Sequence, residues 1–380
     1  RAYFNLGNIL RGLNRLEEAE KATINAIKLK PDFAEAHSNL GNIFRDLGRL
    51  EQAEKSIRKA INFKPNSAIA YLNLGNILVD FGKLQDAETL HRKAIELKPD
   101  FAEAYSNLGN TLRDLGKLEE AEKFISKAIK INPNLIHAYY NLSYIQLLKG
   151  DYDNGLKNYE YRTKINKNLN IHASPNIQQF DYRKLNAGEK LLIVSEQGLG
   201  DTLQFMRYIP YLRDHGLDVS FCAQSKLHSL IKESGIVANP LSSDEINQVS
   251  DGQWMPIISL LRYLKINPEN PKIINPYIFS TDELIKNWSN IFKHEGRPII
   301  AINWQGNPNS EKGSQKGRSL PLESFSTIAN NINIKLVSLQ KGFGSEQLDD
   351  CSFKNRFVKC QSKIDCTWDF LENAAIIENC

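Results

Sequence analysis

The chain has 380 residues, 41% of them apolar and 24% charged, an ordinary balance for a folded protein with room for two or three domains. No apolar run reaches the roughly 18 residues that a spanning helix needs, so the sequence carries no transmembrane segment. The net charge of +4 is spread evenly: residues 1–165 hold 25 Lys/Arg against 21 Asp/Glu and the remainder holds 23 of each, which excludes the concentrated basic face of a nucleic-acid binder.

The chain begins at Arg1 rather than Met, which leaves room for a removed leader. Its cysteines, Cys222, Cys351, Cys360, Cys366 and Cys380, are odd in number and form no C-x-x-C pair. The last four cluster in sequence, but their spacings fit no zinc pattern and no His lies between them. No metal site is expected, and a reducing, cytoplasmic setting is the simplest reading.

From the first residues a period of 34 runs through the chain. Asn5-Leu6-Gly7-Asn8 recurs as Asn39-Leu40-Gly41-Asn42, Asn73-Leu74-Gly75-Asn76 and Asn107-Leu108-Gly109-Asn110, then decays to Asn141-Leu142-Ser143-Tyr144. Ala19, Ala53, Ala87 and Ala121 form one small-residue column, and Ala26, Ala60, Ala94 and Ala128 a second. Pro31, Pro65, Pro99 and Pro133 keep the same interval. Each repeat reads as a helical hairpin. A Gly on the first helix admits a close second helix, and the turn glycines Gly48, Gly82, Gly116 and Gly150 end the first helix. The two Ala columns, seven residues apart, share a face of the second helix, and the Pro stops it. A lone hairpin cannot bury its apolar stripe, so the hairpins must stack.

These residues resemble the tetratricopeptide repeat over residues 1–165, about five hairpins with the first truncated. The resemblance implies a superhelix whose first helices line a concave groove. Asn5, Asn39, Asn73, Asn107 and Asn141 fall on those helices, as do Asn8, Asn42, Asn76 and Asn110 one turn on. The first column resembles the asparagine ladder of the O-linked N-acetylglucosamine transferase repeats. A primary amide both donates and accepts, so either column suits an extended peptide backbone; solvation of the groove is the alternative use. The chain starts inside a repeat, so further repeats are expected ahead of it. In the fifth hairpin Gly155 and Arg162 replace the two alanines, as expected of a terminal hairpin adapted to a following domain.

Residues 166–188 are polar and irregular and read as a linker. Residues 189–380 then alternate strand and helix. Leu191–Ser195 reads as a buried parallel strand, Glu196-Gln197-Gly198-Leu199-Gly200 as a tight glycine turn, and Asp201–His215 as a helix that Pro210 kinks or shortens. Val219–Cys222 is a second strand and Lys226–Ser234 a second helix. A dinucleotide site is excluded. Leu203 stands where the third glycine would be, no acidic residue ends the second strand, and G-K-[ST] is absent, so no cofactor is expected. The turn still lets a ligand approach backbone N–H groups. From about Gly296 a second unit follows: strand Ile299–Trp304, a long loop from Gln305 to Ser319 with Lys312, Lys316 and Arg318, helix Pro321–Asn331, strand Lys335–Leu339 and helix Asp369–Asn379. A further strand should follow, so this unit reads as incomplete.

The run from Glu196 to Tyr208, with Asn303-Trp304-Gln305-Gly306-Asn307-Pro308, Arg318-Ser319-Leu320-Pro321-Leu322, Val337-Ser338-Leu339-Gln340 and Tyr159-Glu160-Tyr161-Arg162, resembles bacterial tetratricopeptide proteins fused to a heptosyltransferase-like domain. The fold class implied is an all-α tetratricopeptide solenoid followed by α/β Rossmann-like domains in the GT-B arrangement: 189–295 the N-terminal half and 296–380 a partial C-terminal half. The resemblance implies a metal-independent glycosyltransferase with a nucleotide-sugar donor. Asp201 aligns with the catalytic base, which would take the acceptor's proton; complementing the positive end of its own helix is the second reading. Glu196 either orients the acceptor or caps the turn. Gly198, Gly200, Gln204, Asn307, Arg318 and Gln340 are the candidate substrate contacts, Arg318 for the donor diphosphate. The family's next motif, an Asp-Thr pair followed by His-Leu, does not occur up to Cys380. A non-catalytic interaction scaffold, and a protein O-N-acetylglucosaminyl transferase that the Glu196–Asp201 run disfavours, are the competing readings.

Overall fold

The computed structural model describes residues 1–380 apart from 166–170, 273–274, 296–297, 307–318 and 332. The chain divides into two units, Arg1–Lys167 and Asn168–Cys380.

The first unit is built of helical hairpins: α1 (Ala2–Gly12) with α2 (Leu16–Leu29), α3 (Ala34–Asp46) with α4 (Leu50–Phe63), α5 (Ala68–Asp80) with α6 (Leu84–Leu97), α7 (Ala102–Asp114) with α8 (Leu118–Ile131), and α9 (Ile136–Leu148) with the short α10 (Tyr152–Tyr159). A last turn, α11 (Arg162–Ile165), follows. Gly48, Gly82, Gly116 and Gly150 have φ between 74° and 83°, the left-handed conformation that closes a helix; Asn14 takes that place in the first hairpin at φ 58°. The second helices α2, α4, α6 and α8 each end two residues ahead of the periodic proline, as the bias of a pre-proline residue toward extended backbone requires.

Close approach inside each hairpin is set by the glycine of the Leu-Gly pair. A Cβ at Gly7, Gly41, Gly75 or Gly109 would lie 2.3–2.5 Å from Thr23, Ile57, His91 or Ile125, which form their own column on the second helices. The alanine columns are fully or almost fully buried, from 0% exposed at Ala19 to 3% at Ala26. Apolar clusters such as Leu40, Ile57, Ala60, Leu74 and Ile77 span successive hairpins and make the core continuous. In the fifth hairpin Gly155 lets α10 approach Leu147, where a Cβ would meet Leu147 Cδ2 at 2.8 Å. Arg162 is 1% exposed and lies over the Tyr159 ring, with Nη1 donating to Glu160 Oε1 at 3.1 Å.

In the second unit a parallel sheet runs in the order β1-β4-β2-β3, with β1 Gln178–Gln179, β2 Lys190–Val194, β3 Asp218–Cys222 and β4 Gln253–Pro256. A second, two-stranded parallel sheet pairs β5 (Ile299–Ile302) with β6 (Lys335–Ser338). Alternate residues of β6 serve opposite faces: Leu336 packs with Trp304, Leu322 and Phe353, and Val337 with Trp288, Phe292 and Ile376. The residues from 171 to 188, read from sequence as linker, belong to this unit. Phe180 is buried and donates its N–H to Trp254 O at 2.8 Å, and Ala173 and Leu185 are buried. The helix expected over 201–215 is two helices, α12 (Leu199–Phe205) and α13 (Tyr208–Asp214). The chain breaks around Met206, four residues before Pro210, where the proline ring collides with the i−4 carbonyl of a continuous helix.

Gly109→Ala should lower stability by about 1–3 kcal/mol, because Ile125 Cγ1 lies 2.3 Å from the new Cβ and Ala121 O 3.1 Å. Gly12→Ala, whose Cβ meets nothing within 4 Å, should leave it unchanged or slightly raised. Urea midpoints of the two variants against the parent check the pair.

Candidate functional site

The first helices approach one another along the stack, α1 with α3, α3 with α5, α5 with α7 and α7 with α9, to an extent that the second helices do not match. The first helices therefore form the inner side of the curve. Both asparagine columns sit there. Asn5 and Asn8 are exposed, Asn39 is buried, and Asn42, Asn73, Asn76, Asn107, Asn110 and Asn141 are half-buried. The amides of the first column reach across the hairpins. Asn73 Nδ2 donates to Ser38 Oγ at 3.1 Å and Asn141 Nδ2 to Ser106 Oγ at 3.3 Å. Where the position before the preceding asparagine is apolar, as at Phe4 and Leu72, the amide turns elsewhere. Asn39 Nδ2 donates to Thr23 Oγ1 at 3.3 Å and Asn107 Nδ2 to Asn76 Oδ1 at 2.8 Å.

A cavity of about 320 Å³ opens on this side over the first three hairpins, lined by Asn8, Ser38, Asn39, Asn42 and Asn73 with Arg11 at its rim. Charges around it are paired: Arg11 with Asp46 at 2.6 Å, Lys64 with Glu35 at 2.8 Å, and Arg45 with Asp80. Lys64 beside Glu35 holds that carboxyl below its usual range. In the fifth hairpin the polar positions become aromatic. Tyr140 and Tyr144 stand edge to face at 5.0 Å, Tyr159 adds a third ring, and Arg113 lies 5.8 Å from the centre of Tyr144.

His91, on the second helix α6, is the least expected neighbour of the asparagine columns. It is fully buried; its Nε2 lies 3.2 Å from Asn76 Oδ1 and its Nδ1 3.2 Å from Thr111 Oγ1. Burial pushes its pKa down to about 4. Sequence reading singled out neither His91 nor Ser38, Ser106, Thr23 and Thr111. The signal was present: positions 23, 57, 91 and 125 keep the 34-residue period, and Ser38 and Ser106 precede a ladder asparagine.

In the second unit, Glu196, Gly198, Gly200, Asp201 and Gln204 lie at the carboxyl end of β2 and in α12. The left-handed residue of this turn is Gln197, φ 62°, not a glycine. Gly198 is extended, with Asp201 Oδ2 3.3 Å from where a Cβ would stand, while a Cβ at Gly200 would meet nothing within 4 Å, so Gly200 leaves open space beside the backbone and neither glycine is the strained residue of the turn. Asp201 Oδ2 accepts the Gly198 N–H at 2.9 Å, a cap on its own helix. Glu196 is fully buried, with Oε1 accepting the Ile258 N–H at 3.0 Å. Gln204 is exposed. Beside the turn is a chain that sequence reading missed: His172 Nδ1 lies 2.9 Å from Ser195 Oγ, Gln224 Nε2 lies 3.2 Å from His172 Nε2, and Thr202 donates to Gln224 Oε1 at 2.9 Å. Its members are 23 and 52 residues apart, which no local motif records.

Gln340, 6% exposed, follows β6. Its Oε1 accepts the N–H groups of Gln305 at 2.9 Å and Trp304 at 3.3 Å, and its Nε2 donates to Phe343 O at 2.7 Å, so the amide braces backbone. A cavity of about 440 Å³ lies next to it, lined by Lys341, Lys354, Gln361, Asp365 and the exposed Trp368. Asn307 and Arg318, with Lys312 and Lys316, lie outside the described residues. Among the described residues no group of three His, Cys, Asp or Glu could hold a metal ion, and no helix is long and apolar enough to cross a membrane.

Comparison with known proteins bears on the first unit. Profiles of the tetratricopeptide repeat match residues 32–100 and 102–135, and a TPR repeat profile matches 7–44. Residues 7–135 are therefore tetratricopeptide repeats. Similar solved structures include MamA, 27% identical over 42% of this chain and 92% of that one, TM-score 0.36. They also include TTC0263, a thermophilic TPR protein of Thermus thermophilus, 21% identical over 44% and 91%, TM-score 0.41. YrrB, a TPR protein with an unusual peptide-binding site, is 24% identical over 44% and 86%, TM-score 0.34. No curated protein matches the chain.

The buried imidazole gives stability a pH dependence. Below its ordinary pKa of 6.5 the unfolded chain takes up a proton that folded His91 refuses down to about pH 4. Its contribution is thus full above pH 6.5 and is lost as pH falls from 6.5 to about 4, by up to ~3 kcal/mol. The difference between the urea stabilities of the parent and His91→Ile should shrink by that order between pH 7.5 and 4.5; a constant difference would contradict the burial of a neutral ring.

Proposed function

We propose that the repeat stack holds an extended segment of another polypeptide along its inner side, and that the second unit transfers a sugar from a nucleotide-sugar donor. The observation that carries the first half is the cavity bounded by both asparagine columns. Asn42 and Asn73 face it, and Asn73 is fixed by its bond to Ser38. One N–H of that amide is committed, which leaves a second N–H and the carbonyl oxygen to pair with a peptide backbone at little entropic cost.

The transferase half rests on Asp201. Its Oδ2 caps the helix, and Oδ1 has no hydrogen bond among the described residues, so that oxygen is available to take a proton from an acceptor hydroxyl beside the open backbone at Gly200. The cavity after β6 offers Trp368 as a stacking face and Lys341 and Lys354 as cations for a nucleoside diphosphate sugar. Gln340 lines this cavity and also braces the loop beside it. A scaffold with a catalytically silent second unit is the competing reading.

Replacing Asn42 and Asn73 together by Ala should weaken capture of an extended peptide about tenfold with the circular dichroism spectrum unchanged. Equal capture would leave the columns as solvation of the inner side. Asp201→Asn should abolish sugar transfer from nucleotide-sugar donors while the unfolding midpoint stays near that of the parent. Undiminished turnover removes Asp201 from the mechanism, and a parent protein that neither binds nor turns over any nucleotide sugar returns the scaffold reading.

A further inference from the structure

The two asparagine columns do not offer the same chemistry along their length. Asn76 Oδ1 already accepts from Asn107 Nδ2 at 2.8 Å and faces His91 Nε2 at 3.2 Å, where only the nitrogen can donate. Thr111 closes the group, with Oγ1 3.2 Å from His91 Nδ1 and 3.0 Å from Asn107 O. The Asn76 carbonyl oxygen is thus engaged twice inside the protein, while Asn107, like Asn73, commits one N–H and keeps its second N–H and its carbonyl oxygen. At the equivalent place in the neighbouring hairpins stand Ile57 and Ile125, which can donate nothing, so Asn42 and Asn110 have no such tether. The cavity agrees: it takes in Asn8, Asn39, Asn42 and Asn73 and stops short of Asn76.

Charge selects further. The cations and carboxylates at the cavity, Arg11, Asp46, Glu35 and Lys64, are paired with one another. A charged ligand side chain would have to break one of these pairs or lie unpaired against neutral amides, while an uncharged one does neither.

Resting on the peptide-binding reading above, we propose that the inner side reads an extended segment with uncharged side chains at Asn42 and Asn73, and that His91 is a positioning residue that withdraws the Asn76 carbonyl oxygen from contact. The repeats are then unequal: the second and third hairpins contact the ligand, and the step from the third to the fourth is a latched spacer. A duplicated repeat becomes directional by one substitution at the glycine-facing position.

The test uses the full chain, labelled with nitrogen-15, and a ten-residue peptide of alternating Gly and Ser. Two further peptides carry Glu or Lys in place of the serines. Side-chain amide signals of Asn42 and Asn73 should move on titration while that of Asn76 stays, and each charged peptide should bind about fivefold more weakly than the Gly-Ser peptide. His91→Ile, which installs the side chain that positions 57 and 125 already carry, should bring Asn76 into the moving set; a merely structural histidine would leave the pattern as it was. Asn76→Ala should bind within about twofold of the parent. The latch is overturned if Asn76 moves in the parent as Asn42 does, or if His91→Ile changes nothing. Charge exclusion is overturned if a charged peptide binds as well as the neutral one. If no ladder signal moves with any peptide, the peptide-binding reading itself falls, and that outcome is distinct from the others.

Discussion

The distance between the two helices of each hairpin is the constraint on which the stack depends. It is fixed where Gly7, Gly41, Gly75 and Gly109 lie against Thr23, Ile57, His91 and Ile125, too close to admit a Cβ. At that separation the alanine columns of the second helix also come into contact, and nothing larger fits: each alanine there is at most 3% exposed. The first helices are thereby held at one depth in every hairpin. Their remaining faces meet across the inner side, and the asparagines fall into line. A methyl group at any of the four glycines would separate a pair, and the misfit would be passed to its neighbours, because each hairpin buries its apolar face only against the next.

That same contact brings chemistry with it. Thr23, Ile57 and Ile125 are ordinary packing choices opposite the glycine column, but His91 carries two ring nitrogens, and a buried imidazole must find hydrogen bonds. The nearest groups able to give them are Asn76 and Thr111, on the first helices either side of it. A substitution made at a packing position therefore reorganises a surface one layer away. Packing and ladder are not separate layers of this fold: the residue that fills the space behind the glycine decides which way an amide points.

Much of this was legible in the sequence, for a reason that is physical. A residue forced by close approach or by a left-handed turn tolerates few alternatives, so Gly41, Gly48, Ala53 and Pro65 recur in register and announce the hairpin. The hydrogen bonds were not legible. Asn73 reaches Ser38, 35 residues back, and whether Asn107 follows that pattern depends on Leu72 being unable to accept. In the second unit β2 stood out because Leu191–Val194 is apolar and buried on both faces, and β3 because Val219, Phe221 and Cys222 are apolar and buried. Gln178–Gln179 did not, being two exposed polar residues, nor did Gln253–Pro256, which is four residues long and ends in a proline, and the segment around Phe180 read as linker because its few buried residues are scattered. Pro210 gave the helix break correctly in kind, with the effect felt four residues earlier at Met206.

At Asp201 the helix cap and the proposed role as base are compatible with one geometry. Accepting the Gly198 N–H ties down Oδ2 and so fixes the plane of the carboxylate and the direction of Oδ1. A side chain that takes a proton from a bound hydroxyl gains from such fixing, since the orientation is set before the ligand arrives. In the proposed transfer the glycine at 200 would serve the same end from the other side, by leaving the approach to the backbone clear. The left-handed turn that brings both about falls on Gln197, a residue that bears φ 62° at some cost without needing to be glycine. The strain of this turn is thus on Gln197, while Gly198 lies against Asp201 and Gly200 stands where a Cβ would meet nothing.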